Sequence, residues 1–411
     1  MTPLAAAVCV AMVASSLLGC YLCRRQIDHV RSLRDSTPSD FAASVPIEEH
    51  RRAADYTMAS AGMAGYKALY DGAIGLAWLL LLLSPLYLLV SRFVEPGLTR
   101  SVAIVAIFAA FSEIADWPFA FHKTFGLDAR FGMNRQTLRG FFVDRLKTGL
   151  LELVVSVPML YGMFWAFRAF PEHWWLIAFA GFMLFVVGVT ALYPTLIAPL
   201  FNEFTPLPND DLRARLEALL QKCGFAARGL FVMDASKRST RSNAYFAGFG
   251  KAKRIVLFDT LLARHTPDEI ESILAHELGH YKFGHVKKMM LTFAVIAFLG
   301  FAALHWAMRP QGLAPAFGFA SDPGVAFVVV LIALEPIMHL LSPLLSWRSR
   351  LAEFEADAFA KEMVGEAPMI SALTRLTRDN LATLTPDRLY TLFYYSHPPV
   401  PVRIAHLRGA G

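Results

Sequence analysis

Seven apolar stretches, each long enough to cross a bilayer, constrain this chain more than any other feature. A membrane-spanning helix needs about 20 predominantly apolar residues. The stretches near 4–23, 67–91, 101–121, 148–168, 174–199, 288–307 and 324–345 meet that length. With 55% hydrophobic and 18% charged residues over 411 positions, the chain lies outside the composition of soluble globular proteins. No Lys or Arg precedes the first stretch, whereas Arg24 and Arg25 follow it. That is the reverse of a signal peptide, so the stretch is read as a retained span. Lys and Arg concentrate in 24–66, 122–147, 202–287 and 346–411. The positive-inside rule places these segments in the cytoplasm, the N-terminus outside and the C-terminus inside. The net charge of +6 follows those loops and faces the lipid bilayer; it calls for no nucleic-acid partner.

The expected organisation is 1–201, five spans; 202–287, a cytoplasmic insert with strands; 288–345, two further spans; and 346–411, a C-terminal cytoplasmic region. Within the insert, Leu212 to Cys223 has helical period, and Gly229 to Met233, Asn243 to Phe249 and Arg254 to Phe258 read as strands, the last two joined across Gly250-Lys251. Helices are expected around 348–364 and 368–380. Cys9, Cys20, Cys23 and Cys223 are too few and too scattered for a disulfide framework, and the Cys20/Cys23 spacing ends a span with no second pair to complete a metal site. Glu113, Asp116, Glu152, Glu335 and His339 fall inside spans. Ionisable groups at that depth face a polar interior or a water-filled cavity.

The chemistry concentrates in His276-Glu277-Leu278-Gly279-His280. Thr266-Pro267-Asp268-Glu269 starts the helix that carries it, with Thr266 as N-cap and Glu269 completing a capping box. On that helix His276 and His280 share one face and can ligate one Zn²⁺, while Glu277 lies beside the open coordination position as general base toward a metal-activated water. A catalytic zinc needs a third protein ligand. The metzincin spacing would put Gly at 283 and His at 286, where Phe283 and Val286 stand. The helix is expected to run on through His285, which then points to the side opposite His276 and is read as helix-end structure or as a residue behind the ligands. In Ser349 to Asp357, Glu353 and Asp357 share a face with Ala356 and Ala360, whose small side chains allow close approach to the metal helix. Glu353 is therefore the expected third ligand, and Asp357 the group that orients a ligand or passes a proton.

The ordered set His276 to His280, Glu353 to Asp357 and Ser396-His397-Pro398-Pro399 with Arg403 resembles the type-I CAAX prenyl protease family. So do Phe131 to Thr137, Pro199 to Phe204 and Ser242-Asn243-Ala244-Tyr245-Phe246. The chain is shorter than eukaryotic members and looks bacterial, which would put it in the inner membrane. The resemblance implies a predominantly α fold: a seven-helix transmembrane bundle around an aqueous chamber, with a zincin-like helical catalytic region, a small β-sheet and a cytoplasm-facing site. It implies that His397 and Arg403 line the cleft, stabilising the oxyanion or holding the substrate's C-terminal carboxylate. Asn243 and Ala244 would lie on the edge strand that receives an extended substrate. The expected activity is zinc endopeptidase cleavage near the C-terminus of CAAX-type peptides or proteins, lipidated or not, with one Zn²⁺ per chain. Two alternatives are a quality-control protease for membrane proteins, disfavoured by the seven spans, and a non-enzymatic transporter or scaffold, supported only by Glu335 and His339.

Overall fold

The computed structural model describes residues 1–225, 229–247, 254–309, 312–319 and 322–409. Seven of its helices are long and apolar enough to cross a membrane. The first is α1 (Pro3–Ser32). The second runs as α2 (Ile47–Ala77) through a π-helical turn into α3 (Leu83–Ser91), followed by α4 (Leu98–Phe121), α5 (Leu138–Ala169) and α6 (Trp174–Leu192). The π turn at Trp78–Leu82 has a local cause: Pro85 lacks an amide hydrogen, and its ring would clash with the Leu81 carbonyl in a regular helix. After the fifth span come β1 (Phe204–Pro206), α7 (Asp210–Lys222), β2 (Leu230–Met233), β3 (Ala244–Ala247), β4 (Arg254–Phe258), α8 (Asp259–Arg264) and α9 (Pro267–Lys282). Then follow α10 (His285–Ala307), α11 (Leu313–Ala316), α12 (Pro323–Val364), α13 (Glu366–Asp379), α14 (Arg388–Tyr394) and α15 (Val400–Leu407).

All seven expected spans are helices, and most extend past their apolar stretches because polar, amphipathic turns continue the hydrogen-bond ladder into water; α6 instead ends at Leu192, short of the expected 199. The largest extension is α12. Its 42 residues run through Pro336 and Pro343 and carry the expected 348–364 helix as the same rod, across the boundary anticipated near 345. The seventh span thereby delivers Glu353 and Asp357 to the site. The expected continuation of the metal helix through His285 is corrected: α9 stops at Lys282, Gly284 takes a left-handed conformation with φ +66°, and His285 opens a new helix. Glycine adopts that conformation without a Cβ penalty, which ends the helix there.

The strands form one sheet in the order β1-β2-β4-β3. β2 and β4 are parallel, with Leu230 opposite Ile255; β3 runs antiparallel to β4, with Tyr245 opposite Val256. β1 was not anticipated, because three residues ending in Pro206 give too short a pattern. The Gly250-Lys251 turn lies outside the described residues.

The two largest apolar clusters among the described residues hold most of the chain. One gathers α7, the sheet, α8, α9, the end of α12, α13 and α15 around Leu216, Leu257, Leu274 and Ala360. The other joins spans around Trp78, Ile104, Phe164 and Val328. At the latter's edge Asp322 accepts from Arg100 Nε at 3.0 Å and Ser101 Oγ at 2.8 Å, stapling α4 to α12. Three of the spans are thinly covered by protein: α5, α6 and α10 bury three, one and three side chains. Charged groups of the spans pair with one another between helices. Lys67 reaches Asp116 at 2.7 Å, Arg145 reaches Glu113 at 2.9 Å, and Ser15 Oγ lies 2.8 Å from His339 Nδ1 and donates to Glu335 at 3.4 Å.

Candidate active site

Helix α9 is built as its sequence dictates. Thr266 Oγ1 accepts from the Glu269 amide while the Glu269 carboxylate accepts from the Thr266 amide, completing the capping box. The middle of the helix packs against α12 so closely that a Cβ on Gly279 would stand 2.9 Å from the Ala356 Cα and 3.2 Å from its carbonyl oxygen. Ala356 and Ala360 are fully buried at that crossing, so small residues on both helices set the distance between the two halves of the site.

That crossing brings His276, His280 and Glu353 together. His276 Nε2 and His280 Nε2 are 3.2 Å apart, His276 Nε2 lies 3.4 Å from Glu353 Oε2, and His280 Nε2 lies 3.2 Å from Glu353 Oε1. Nitrogen and oxygen ligands about 2.0–2.1 Å from a tetrahedral metal stand about 3.3–3.4 Å from one another, which these separations bracket. His276 Nδ1 lies 2.8 Å from Asp357 Oδ1, and since a carboxylate only accepts, the proton of a neutral His276 sits on Nδ1 and leaves Nε2 as a lone pair. Glu353 Oε2 is buried and receives no hydrogen bond, although Arg403 Nη1 lies 3.4 Å away. Converging lone pairs and an orphaned carboxylate oxygen fit a bound cation.

The remaining expected residues surround this point. Glu277 is half-buried in the wall of a cleft of about 780 Å³, which also takes in Asn243, Ala244, His397 and Arg403. Burial pushes its carboxyl above the ordinary carboxylate range, against the pull of the two histidines. Arg403 is buried on α15 and donates to both Asp357 oxygens, from Nε at 2.8 Å and Nη2 at 2.5 Å. Most of its hydrogen-bonding fork is therefore engaged by the site's own carboxylates. His397 is exposed, with Nε2 3.3 Å from Glu353 Oε1. Phe258 donates its amide to the Asn243 carbonyl at 3.1 Å. In the alternation of an antiparallel ladder the peptide groups of Ala244 then face the open edge of the sheet.

The sequence reading misdirected one residue, His285, and missed two contact sets. His280 Nδ1 stands 2.8 Å from His285 Nδ1, and His285 Nε2 stands 2.8 Å from Glu355 Oε2. His285 thus lies against the metal helix's own histidine, not opposite it; Gly284, a helix-stop residue two positions past the last helical one, is the signal that could have shown it. Asn380 holds the segment entering β3, accepting from the Ser242 amide at 3.2 Å and donating to its carbonyl at 3.3 Å, while Ser242 Oγ donates to Asp379 at 3.0 Å. Beside it Leu381, at φ 50°, is the only non-glycine with positive φ among the described residues. Arg241 meets Tyr56 OH at 2.6 Å and Asp128 at 3.4 Å, tying that segment to α2 and the end of the third span. Nothing in the local sequence of either contact set announces it.

Comparison with known proteins agrees along the whole chain. Residues 26–203 match the family described as CAAX prenyl protease N-terminal, five membrane helices, and residues 206–410 match peptidase family M48. The CAAX prenyl protease 1 homolog of Arabidopsis thaliana is 35% identical over 317 residues, covering 77% of this chain and 75% of that protein. CAAX prenyl protease 1 of Saccharomyces cerevisiae is 35% identical over 329 residues, covering 75% and 72%. The human homolog is 30% identical over 354 residues, covering 76% and 74%. The crystal structure of S. mikatae Ste24p superimposes with a TM-score of 0.91 at 27% identity, covering 99% of each chain. A multi-pass membrane protein whose metal-binding cleft hydrolyses peptide bonds is what these likenesses describe, and the chain belongs to the CAAX prenyl protease 1 family of M48 metallopeptidases.

Proposed function

We propose that this chain is a zinc endopeptidase that cleaves CAAX-type substrates near their C-terminus, with His276, His280 and Glu353 as the metal ligands. The observation that carries the reading is the convergence of two imidazole lone pairs and one carboxylate at 3.2–3.4 Å beside a carboxyl that burial makes more basic. When bound there, zinc supplies Lewis acidity toward water and the scissile carbonyl. Glu277 takes the proton of the attacking water and returns it to the leaving amine. Asp357 holds the Nδ1 proton of His276 and so keeps Nε2 free. Arg403 neutralises Asp357 and Glu353, leaving His397, exposed in the cleft, as the donor to the developing oxyanion or to the substrate's terminal carboxylate. The Asn243–Ala244 edge receives the substrate as an added extended strand.

The basic loops support a site open to the cytoplasmic side of the membrane, the bacterial inner membrane in this reading. The names of the relatives support a CAAX substrate, and one anchored by a lipid on its Cys would lie beside the bundle. The test is cleavage of a CAAX peptide, with and without a farnesylated Cys, read by mass spectrometry. Wild type is expected to release the residues after the Cys, faster from the lipidated peptide. Glu277→Gln is expected to retain zinc and lose about 10²–10⁴-fold in rate. Wild-type cleavage by a zinc-loaded Glu277→Gln protein would sink the mechanism.

A further inference from the structure

The two imidazoles of the metal site are backed in different ways. His276 leans directly on a buried carboxylate, with Nδ1 2.8 Å from Asp357 Oδ1. His280 leans on another histidine, Nδ1 to Nδ1 at 2.8 Å, and that histidine, His285, leans through Nε2 on Glu355 Oε2 at 2.8 Å. His285 is mostly buried, whereas Glu355 is half-exposed and has Lys288 3.9 Å away.

The proton count along this row admits one arrangement. It rests on the proposed ligand set, in which His280 binds through Nε2. A neutral imidazole with its Nε2 lone pair committed carries its proton on Nδ1, so His280 Nδ1 donates. His285 Nδ1 must then accept, which places the proton of neutral His285 on Nε2, where it is donated to the Glu355 carboxylate. No other assignment of neutral rings keeps both 2.8 Å contacts as hydrogen bonds.

The backbone is shaped to make this row. Had α9 continued, residue 285 would have pointed away from His280; the left-handed turn at Gly284, φ +66°, swings it back. Helix α12 meanwhile supplies the site three times within five residues, through Glu353, Glu355 and Asp357. We infer that His285 and Glu355 are positioning residues that fix the tautomer and ring orientation of His280, and that they govern how tightly the metal is held.

Zinc affinity of the purified full chain, measured by competition with a chelator, tests this, together with the visible spectrum of the cobalt-substituted protein. Loss of such a supporting partner typically weakens metal binding by about 10–100-fold, the loss expected for His285→Ala with a shifted cobalt spectrum. His285→Asn, which keeps an acceptor near the Nδ1 position, should recover most of it. Glu355→Gln, still an acceptor but uncharged, should fall between. Wild-type affinity and an unchanged cobalt spectrum in His285→Ala would overturn the inference. If that variant fails to fold, Glu355→Gln decides: a loss of about three- to tenfold supports the row, and wild-type retention rejects it. His276→Ala separates the two levels of the argument. If it too keeps zinc, the ligand assignment is wrong; if it loses zinc while His285→Ala does not, only the row is.

Discussion

Helices α9 and α6 are close in length, 16 and 19 residues, yet α9 buries nine residues and α6 only Trp174. The first is surrounded by α7, α12, α13 and the sheet and sits in the denser apolar core. The second touches α5 and α10 along narrow stripes and leaves Leu184, Val187 and Leu192 outward. Lipid stabilises α6 whatever its neighbours are, since a helix satisfies its own backbone polar groups. Helix α9 has no lipid around it, and its position follows from its packing, tightest where a Cβ on Gly279 would stand 2.9 Å from Ala356. The region that must hold two histidines against a glutamate is therefore built like a soluble-protein core, while the lipid-facing spans tolerate looser contact.

If that contrast is sound, the most damaging changes lie where charge is buried in the catalytic core. Arg403→Met would strip the cation from Asp357, bonded at 2.5 and 2.8 Å, and from Glu353. Removing one partner of a buried ion pair costs about 3–5 kcal/mol. A fall of that size is expected in detergent unfolding experiments, with loss of bound metal; a fall below about 1 kcal/mol would mark the region as no tighter than a surface. Next comes Gly279→Ala. Its new methyl would meet α12 backbone at 2.9 Å, and overpacking of this kind costs about 1–3 kcal/mol. Because α9 and α12 carry the ligands on opposite sides of that contact, cleavage of a CAAX peptide should drop about 10–100-fold. Unchanged activity would show that the two helices can part without disturbing the site.

The same contrast explains what could be read in the sequence. The seven spans were legible because about 20 apolar residues suffice to identify one, without knowledge of any neighbour. The capping box at Thr266 and Glu269 and the His276/His280 pair were legible because their partners lie within one turn of chain. Glu353 came from sharing one helix face with the small residues Ala356 and Ala360, and the packing of Gly279 on Ala356 agrees with that logic. His285 was misplaced because one glycine changes direction where a periodic pattern assumes none. Asn380 was missed because its partner, Ser242, is 138 residues away, and only the folded chain brings them together. Contacts that depend on a turn, or on a distant segment, leave no period to detect.

Acid should separate the regions by a smaller amount. Glu269 is buried at the start of α9 and accepts from Ser371 Oγ at 2.6 Å and the Thr266 amide at 2.9 Å, with Arg375 at 3.2 Å. Burial alone would raise its pKa, but these partners outweigh it and hold the carboxyl below its ordinary range. A depressed folded value means stability present above the unfolded pKa, near 4.5, and lost as pH falls through the folded one. Glu269→Gln should cost about 1 kcal/mol at neutral pH and flatten this acid limb. An undiminished acid limb in the variant would move its origin to other carboxylates.

The smallest effect is expected in α6, and its smallness is the sharpest use of the comparison. A Cβ placed on Gly188 meets nothing within 4 Å. Gly188→Ala should therefore meet no steric cost and stabilise by no more than about 1 kcal/mol, the helix preference of Ala over Gly. Thermal unfolding in detergent and again in vesicles would check this. A loss above about 1 kcal/mol in vesicles alone would mean that the bilayer brings a close neighbour to this face, such as a second copy of the chain, because small residues on a span are where helices approach within a membrane. The looseness of α6 would then belong to the isolated chain, and the division between a tightly packed catalytic core and a lipid-supported wall would have to be redrawn around that interface.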